Sequence, residues 1–192
     1  FDKWNYTKIN NSTSEYKTIL GNIVNITTTI QWFEKMTNIS FANQNLIMNP
    51  SSLKYTIEIK KYPFESPLNH LQLILSAELE SNNDGSCSEK DFGETSTGDN
   101  SDYIKIQIDK VSLYGRFIKR GIIDSKISPV TNTLLDSDLN SIQTNSKSQS
   151  YVGINVNYFN ERVYLDPDFS VLLNGNSVSN SKSICKSNNK LS

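Results

Sequence analysis

The sequence predicts an all-β protein, a large two-sheet sandwich with little or no helix. The first reason is composition, because two Ala stand against twenty Ile and nine Tyr in 192 residues. Ala is the best helix former, whereas Ile, Tyr and Thr are favoured in strands. The second is that apolar and polar residues alternate in many short runs, and the third is that turn residues separate these runs. About ten strands without helices are expected to form two stacked sheets or a barrel.

Four segments show the period-two alternation of a strand most clearly. In the third of them, for example, Ile104, Ile106 and Ile108 share one face. Ile74 interrupts the alternation in the second, so we predict that this strand is covered on both faces. The four predicted strands are 53–62, 71–79, 103–111 and 151–158.

The remaining segments complete the predicted sandwich. Weaker strands are predicted at 16–20, 23–32, 39–48, 113–119, 162–165 and 169–173. One short helical turn is predicted near 133–140. The acidic segment 80–102 and the polar segment 136–150 read as structureless loops. We therefore expect one β-sandwich domain over 1–175, followed by a Ser-, Asn- and Lys-rich linker over 176–192.

Charge and hydropathy exclude several classes of function. With a net charge of −1 and an isoelectric point near 5.9, no electrostatic term favours nucleic acid or an anionic membrane. No apolar run approaches the roughly 18 residues that span a bilayer. Because Phe1 begins without the pattern of a signal peptide, we expect an excised or mature segment.

Five N-x-[ST] acceptor sequences for N-glycans lie within the first forty residues, and none follows. Their asparagines are Asn5, Asn10, Asn11, Asn25 and Asn38. Such sequences are modified only in the secretory pathway, although an Asn-rich chain of this composition would contain about five of them by chance. Glycans are bulky and hydrophilic, so we expect them to map to one end or one sheet and to leave a bare working face.

Two cysteines, Cys87 and Cys185, lie in polar, Ser- and Asn-rich segments. In an oxidising compartment we expect them to pair, and the long loop would give about 4–5 kcal/mol in the chain-entropy model. The alternative is two unrelated exposed thiols.

Catalytic residues are scarce. His70 is the only histidine, so any Ser-His-Asp or Cys-His arrangement would have to use it, and we interpret it as an ordinary loop residue. Asp166 and Asp168 flank Pro167 and could serve as paired carboxylates, as glycosidases need. We interpret both as turn-forming residues that accept backbone N–H bonds.

Binding sites for ions or large ligands are equally weak. The acidic segment 80–102 could bind calcium but lacks the spacing of a calcium loop. Arg116, Lys119 and Arg120 are basic but point to both faces of a strand, which argues against a nucleic-acid patch. Four aromatic side chains are candidates either for stacking on sugars or for packing in the core and at its rim; they are Trp4, Tyr6, Trp32 and Tyr164.

Several stretches carry a family resemblance. The most specific are Tyr-Gly-Arg-Phe at 114–117 and Asp-Pro-Asp-Phe-Ser-Val-Leu at 166–172, together with the segments 41–50, 54–57, 62–64 and 150–155. The chain thereby resembles the supersandwich domain of ComC-type cell-surface glycoproteins of dictyostelid social amoebae, over roughly residues 1–175.

The resemblance implies a place in a larger protein. In that family the domain follows EGF-like or similar extracellular repeats and precedes a linker, one transmembrane helix and a short cytoplasmic tail. The segment 183–192 looks like that linker. The resemblance therefore implies a membrane-proximal extracellular domain of a single-pass plasma-membrane protein that takes part in cell–cell communication.

These observations lead to one expected function and two alternatives. We expect adhesion or contact signalling without catalysis and without a cofactor, toward an unknown surface protein or glycan on a neighbouring cell. A carbohydrate-binding module would need a concave face with exposed Trp or Tyr. A glycan-active enzyme would need a pocket with two carboxylates about 5–10 Å apart.

Overall fold

A computed structural model describes residues 3–80, 88–95, 100–108, 111–135 and 147–173. These residues form sixteen strands and, within these ranges, no helix. The strands are β1 (Asn5–Lys8), β2 (Thr13–Leu20), β3 (Val24–Phe33), β4 (Thr37–Phe41), β5 (Gln44–Met48), β6 (Ser52–Lys60), β7 (His70–Glu80), β8 (Ser88–Glu94), β9 (Ser101–Ile108), β10 (Val111–Ile118), β11 (Arg120–Ile123), β12 (Lys126–Pro129), β13 (Thr131–Leu134), β14 (Lys147–Asn157), β15 (Arg162–Leu165) and β16 (Asp168–Leu173).

An eleven-stranded sheet forms the larger layer. Its main path runs β1-β2-β3-β6-β16-β10-β9-β8, and β11, β12 and β15 join it beside β6. Strand β6 is central, because β3 pairs along one edge and β15 and β16 share the other. All of these pairings are antiparallel, as in sheets built from hairpins and longer returns.

A second, three-stranded sheet of order β13-β14-β7 provides the other layer. The core lies between the two sheets and is lined by alternate residues of both, as the period-two pattern requires. On the large sheet it includes Ile57, Ile59, Ile104 and Ile106, and on the small sheet Val152, Ile154 and Val156, all buried. The predicted all-β sandwich is confirmed.

The small sheet covers only part of the inner face of the large sheet. Asn132 on β13 donates its amide to the Phe117 carbonyl at 3.1 Å and to the Asp102 carboxylate at 3.0 Å. These contacts set the β13 edge over β9 and β10. Strand β7, at the opposite edge of the small sheet, also packs against β9 and β10, and a cleft described below separates part of it from β3 and β6. We call β1, β2 and β3, which extend the large sheet sideways from β6, the wing.

The outer face of the large sheet carries the hairpin β4–β5. Ala42 and Asn43 form its two-residue turn, both with positive φ (47° and 59°), which is the geometry of a type I′ turn. Phe41, Ala42 and Leu46 are buried against Ile118, with Ile122 beside them. The hairpin therefore covers part of the outer face with a second, smaller apolar cluster.

Several sequence expectations were wrong in detail. The predicted strand at 39–48 is the hairpin β4–β5. The segment 80–102, expected to be a loop, contains β8, and the end of the polar segment 136–150 belongs to β14. Strand β7 is covered on one face only, and Ile74 on its other face is 49% exposed.

The prediction of a helical turn near 133–140 was wrong for the part that the structure describes, because Thr133 and Leu134 lie in β13. The other predicted strands are confirmed within a few residues. The linker at 176–192 lies outside the described residues.

Candidate functional site

The inward-facing side chains of the wing form a surface that continues the core beyond the small sheet. Residues paired across neighbouring strands lie on the same side of a sheet. Ile57 on the inner side of β6 pairs with Thr28, Thr28 pairs with Tyr16, and Tyr16 pairs with Tyr6, so these wing residues also lie on the inner side. We call this surface the open face. It consists of Tyr6, Tyr16, Thr28, Ile30, Trp32 and Tyr55.

Aromatic rings follow the open face toward the core. Tyr6 and Tyr16 lie 5.3 Å apart with planes tilted by 48°. Tyr55 meets Phe169 edge to face at 5.4 Å, and Phe169 meets Phe117 in the same manner at 5.7 Å. Phe117 is buried, whereas Tyr6 is 57% exposed and Trp32 is 40% exposed. The face therefore joins an exposed aromatic rim to rigid core rings, and such pairs add about 0.5–1.5 kcal/mol each beyond the area they bury.

A cleft of about 300 Å³ separates β7 from this face. Leu75 and Ala77 line it on the β7 side, and Trp32, Leu53 and Tyr55 line it on the large sheet. Burial, with the nearby Tyr16 phenol as a smaller cause, raises the pKa of Tyr55. Tyr55 is therefore a neutral phenol at physiological pH and can both donate and accept a hydrogen bond at the mouth of an apolar cleft.

The glycan acceptor asparagines lie away from the open face. Asn5 pairs with Lys17, Lys17 with Thr27, and Thr27 with Glu58 across neighbouring strands. These residues therefore share the outer side of the sheet. Asn25 is opposite Lys60 on that same outer side.

The other three acceptors lie on the hairpin and at a turn. Asn38 is exposed on β4 of the outer hairpin, and Asn10 and Asn11 lie in the exposed turn between β1 and β2. Asn10 accepts hydrogen bonds from the backbone N–H and the hydroxyl of Ser12 at 2.9 and 3.1 Å. Occupancy of all five sites stays a prediction. The predicted pair Cys87 and Cys185 lies outside the described residues.

Asp166 and Asp168 each contact a cation, which the sequence did not suggest. The Asp166 Oδ1 lies 2.9 Å from Lys54 Nζ and accepts a hydrogen bond from the Thr56 hydroxyl at 2.8 Å. The Asp168 Oδ2 accepts a hydrogen bond from Arg116 Nε at 2.8 Å. The interpretation of these carboxylates as turn formers was therefore incomplete.

Burial dominates the electrostatics of Asp166. It raises the pKa of Asp166, although Lys54, Thr56 and Arg116 act in the opposite direction. The Asp166 Oδ2 is buried and has no hydrogen-bond partner among the described residues. Both carboxylates belong to a polar layer beneath the hairpin β4–β5, since the Arg116 guanidinium also donates to the Ile47 carbonyl at 3.4 Å.

The other residues singled out in the sequence are dispersed. His70 is exposed at the start of β7. Lys119 pairs with Glu94 and, at 3.1 Å, with Asp102, so two of the acidic residues of 80–102 balance a cation. Tyr164 contacts the outer cluster, with the Arg162 guanidinium 5.8 Å from its ring centre. Trp4 is exposed and does not line the cleft.

Sequence reasoning found Tyr6 and Trp32 as candidates but missed Tyr16, Ile30 and Tyr55. Their signal was present, since Tyr16 and Ile30 stand at alternating positions in predicted strands. What the sequence lacked was the register that places β1, β2, β3 and β6 side by side.

Two features are absent from the described residues. No three His, Cys, Asp or Glu side chains there lie close enough together to hold a metal ion. The same residues contain no helix that is long and apolar enough to cross a membrane.

Comparison with known proteins identifies the family. The chain is 39% identical to an uncharacterised protein of Dictyostelium discoideum over 111 aligned positions, which cover 46% of this chain and 63% of that relative. The chain thus spans less than two thirds of the relative's length. A family model described as the supersandwich domain of ComC matches residues 1–172. The match extends over nearly the whole chain, which therefore belongs to the ComC supersandwich domain family.

Proposed function

We propose that this chain is the membrane-proximal extracellular domain of a single-span cell-surface glycoprotein, and that it acts in adhesion or contact signalling without catalysis. Its partner-binding surface is the open face. The observation that carries this proposal is the separation of the two sides of the wing. The sequons on strands, Asn5, Asn25 and Asn38, lie on the outer side or the outer hairpin, while the aromatic side chains lie on the inner side.

The chemistry of the open face suits recognition. Exposed Tyr and Trp supply large contact areas and keep a polar group for hydrogen bonding, and such residues dominate the energy of protein interfaces. Tyr6 and Tyr16 already contact each other, so they lose little rotamer freedom when a partner binds. Membership of the ComC supersandwich domain family supports a cell-surface setting for this face.

A test of this function compares two tyrosine pairs on opposite faces. Beads coated with the chain are expected to cluster or to bind intact Dictyostelium discoideum cells, and Tyr6→Ser is expected to reduce binding at least tenfold, about 1.4 kcal/mol. The matched control is Tyr114→Ser, because Tyr114 stacks on Tyr103 at 5.7 Å on the outer side of the sheet. Equal binding by the two variants would contradict a role for the open face.

Anchoring by a single span needs its own test. The uncut precursor is expected to carry EGF-like repeats before Phe1 and about 20 consecutive apolar residues after Ser192. A precursor without such an apolar segment would contradict the anchored arrangement.

Carbohydrate binding is the second candidate, and exposed Trp32 and Tyr6 are the observation that favours it. Aromatic faces bind sugar rings by stacking, with nearby hydroxyl and amide groups to orient them. Screening the chain on a glycan array separates the candidates. Saturable glycan binding that Trp32→Ala abolishes would support a lectin. Clustering or cell binding of beads coated with the chain, without binding to any glycan of the array, would support adhesion.

A further inference from the structure

The cleft beside β7 reaches from the surface into the core. Trp32 lines it and is exposed, whereas Ile57 and Ala77 also line it and are buried. Its inner end therefore lies between the two sheets. Its volume of about 300 Å³ is at the lower end of the range for small-molecule sites in proteins, which is about 300–1,000 Å³. The cleft thus has the size and depth of a site for a small ligand.

The aromatic wall of the cleft is held in place by its neighbours. Phe169 lines the cleft and has edge-to-face contacts with Tyr55 on one side and Phe117 on the other. Gly115 lets this ring lie close to β10, because a Cβ at that position would be 2.9 Å from the ring. A wall that is already ordered loses little conformational freedom when a ligand binds, which favours binding.

One polar side chain of the cleft is available to a ligand inside it. Ser76 and Glu78 line the cleft but have interactions within the protein, and Ser51 is exposed in the turn before β6. The Tyr55 hydroxyl, by contrast, has no hydrogen-bond partner among the described residues. Tyrosine hydroxyls in apolar surroundings usually have such a partner. Tyr55 is therefore the group in the cleft that can hydrogen-bond to a ligand.

Volume and charge define the chemical class of the occupant. An apolar cavity of about 150 Å³ holds benzene, so a cleft of about 300 Å³ has room for about two fused rings. The lining contains no Lys, Arg or His, and its one charged residue is Glu78. An anion would therefore be buried without a cation beside it, which is costly. An uncharged, mainly apolar molecule avoids this cost.

We propose that the cleft binds a small, uncharged, mainly apolar molecule of about two rings, and that a hydroxyl or carbonyl group of this molecule hydrogen-bonds to Tyr55. The rings lie between Leu75 and Ala77 of β7 and the aromatic wall of the large sheet. A phenol both donates and accepts, so it can pair with either kind of oxygen. This ligand site goes beyond the proposed function, because it is inferred from the cleft alone.

The first test titrates the whole chain with two neutral probes and one anionic probe, followed by NMR chemical shifts. 2-Naphthol is expected to bind saturably, with a dissociation constant on the order of 100 μM. Naphthalene-2-sulfonate is expected to bind at least tenfold more weakly, because its charge would be buried without a partner. Absence of saturable binding by both 2-naphthol and 2-methylnaphthalene would overturn the site, and so would tighter binding of the sulfonate.

The role of Tyr55 is tested by removing one hydroxyl from the protein and one from the probe. Tyr55→Phe is expected to weaken binding of 2-naphthol about tenfold, because the hydrogen bond is lost. It is expected to leave the affinity for 2-methylnaphthalene unchanged, since that probe has no hydroxyl. An equal effect on the two probes would contradict a hydrogen bond between Tyr55 and the ligand.

The position of the ligand is tested with two neighbouring residues on opposite faces of β7. Leu75 lines the cleft, whereas Ile74 lies on the other face and is 49% exposed. Leu75→Trp fills the cleft and is expected to weaken binding of 2-naphthol at least tenfold. The matched control, Ile74→Trp, adds the same ring outside the cleft and is expected to bind 2-naphthol as the unchanged chain does.

Equal binding of 2-naphthol by these two tryptophan variants would place the probe elsewhere and overturn the proposal. Thermal unfolding of each variant shows whether it is folded, and if Leu75→Trp does not fold, the two probes with Tyr55→Phe still decide. Failure of the ligand site can be told from failure of the proposed function. If 2-naphthol binds in the cleft and the coated beads neither cluster nor bind cells, the ligand site stands and the adhesive function is wrong.

Discussion

The inner face of the large sheet has two regions with the same alternating residue pattern, one buried beneath the small sheet and one exposed. Beneath the small sheet, Ile104, Ile106 and Phe117 are almost wholly buried. On the wing, Tyr6, Ile30 and Trp32 alternate in the same way but are partly or largely exposed. The difference comes from the second layer, which has three strands against eight along the main path of the large sheet. Alternation therefore shows which side of a strand is apolar, but not whether another layer covers it.

The largest expected contrast is between one core ring and one wing ring. Phe117→Ala is expected to lower the free energy of unfolding by about 4 kcal/mol, because it leaves a cavity between Phe169 and the small sheet. Tyr6→Ala is expected to lower it by about 0.5 kcal/mol, since Tyr6 is 57% exposed. Urea unfolding of both variants measures this contrast. A cost above about 2 kcal/mol for Tyr6→Ala would mean that the wing is part of the stable core.

A smaller contrast concerns two lysines on the outer face. Lys54→Met is expected to cost about 3 kcal/mol, because it leaves the fully buried Asp166 carboxylate without its cation. Lys17→Met breaks the exposed pair with Glu15 and is expected to cost less than about 0.5 kcal/mol. The same unfolding experiment compares the two. Similar costs would contradict the view that the hairpin β4–β5 excludes water from the Asp166 site.

The smallest expected effect is the pH dependence of Asp124. Partial burial raises the pKa of this carboxyl, but the backbone N–H groups of Asn160, Arg162 and Glu161 together lower it below its ordinary value. Its contribution to stability is therefore present above the unfolded-state pKa and is lost as pH falls through the lower folded-state pKa. Asp124→Asn, which suits the positive φ at this turn, is expected to cost about 1 kcal/mol at pH 7 and less in acid.

Asp166 provides the opposite control. Its raised folded-state pKa gives a contribution that is fully present below the unfolded-state pKa and lost as pH rises through the folded-state pKa. Asp166→Asn should therefore change stability with pH in the direction opposite to Asp124→Asn. Parallel pH profiles for the two variants would contradict this assignment.

The sequence predicted the strands well because their alternation is local. It predicted β6, β9 and β14 within a few residues, since their apolar residues recur at every second position. It failed at β8, where charged residues on an edge strand resemble a loop. It also failed at Ala42 and Asn43, because Ala is an unusual residue for a type I′ turn and conceals the hairpin.

The candidate site could be predicted only in part, because it depends on long-range pairing. Tyr55 and Tyr16 are 39 positions apart, and nothing in their local sequences indicates that they share a face. The partners of Asp166 were equally hidden, since Lys54 and Thr56 lie about 110 residues earlier in the chain. Ile74 misled the sequence analysis for the same reason. Its apolar side chain suggested a covering layer that the fold does not supply.

The position of β6 also determines the order in which the molecule can be completed during synthesis. Strands β1, β2, β3 and β6 can form a meander as soon as residue 60 has emerged, whereas β15 and β16 reach the other edge of β6 only after about 100 further residues. A nascent chain thus holds its central strand with one neighbour until β15 and β16 have emerged, and such open edges invite misassembly. The predicted glycan sites all lie before β6. They can therefore be modified while the growing chain most needs protection from aggregation.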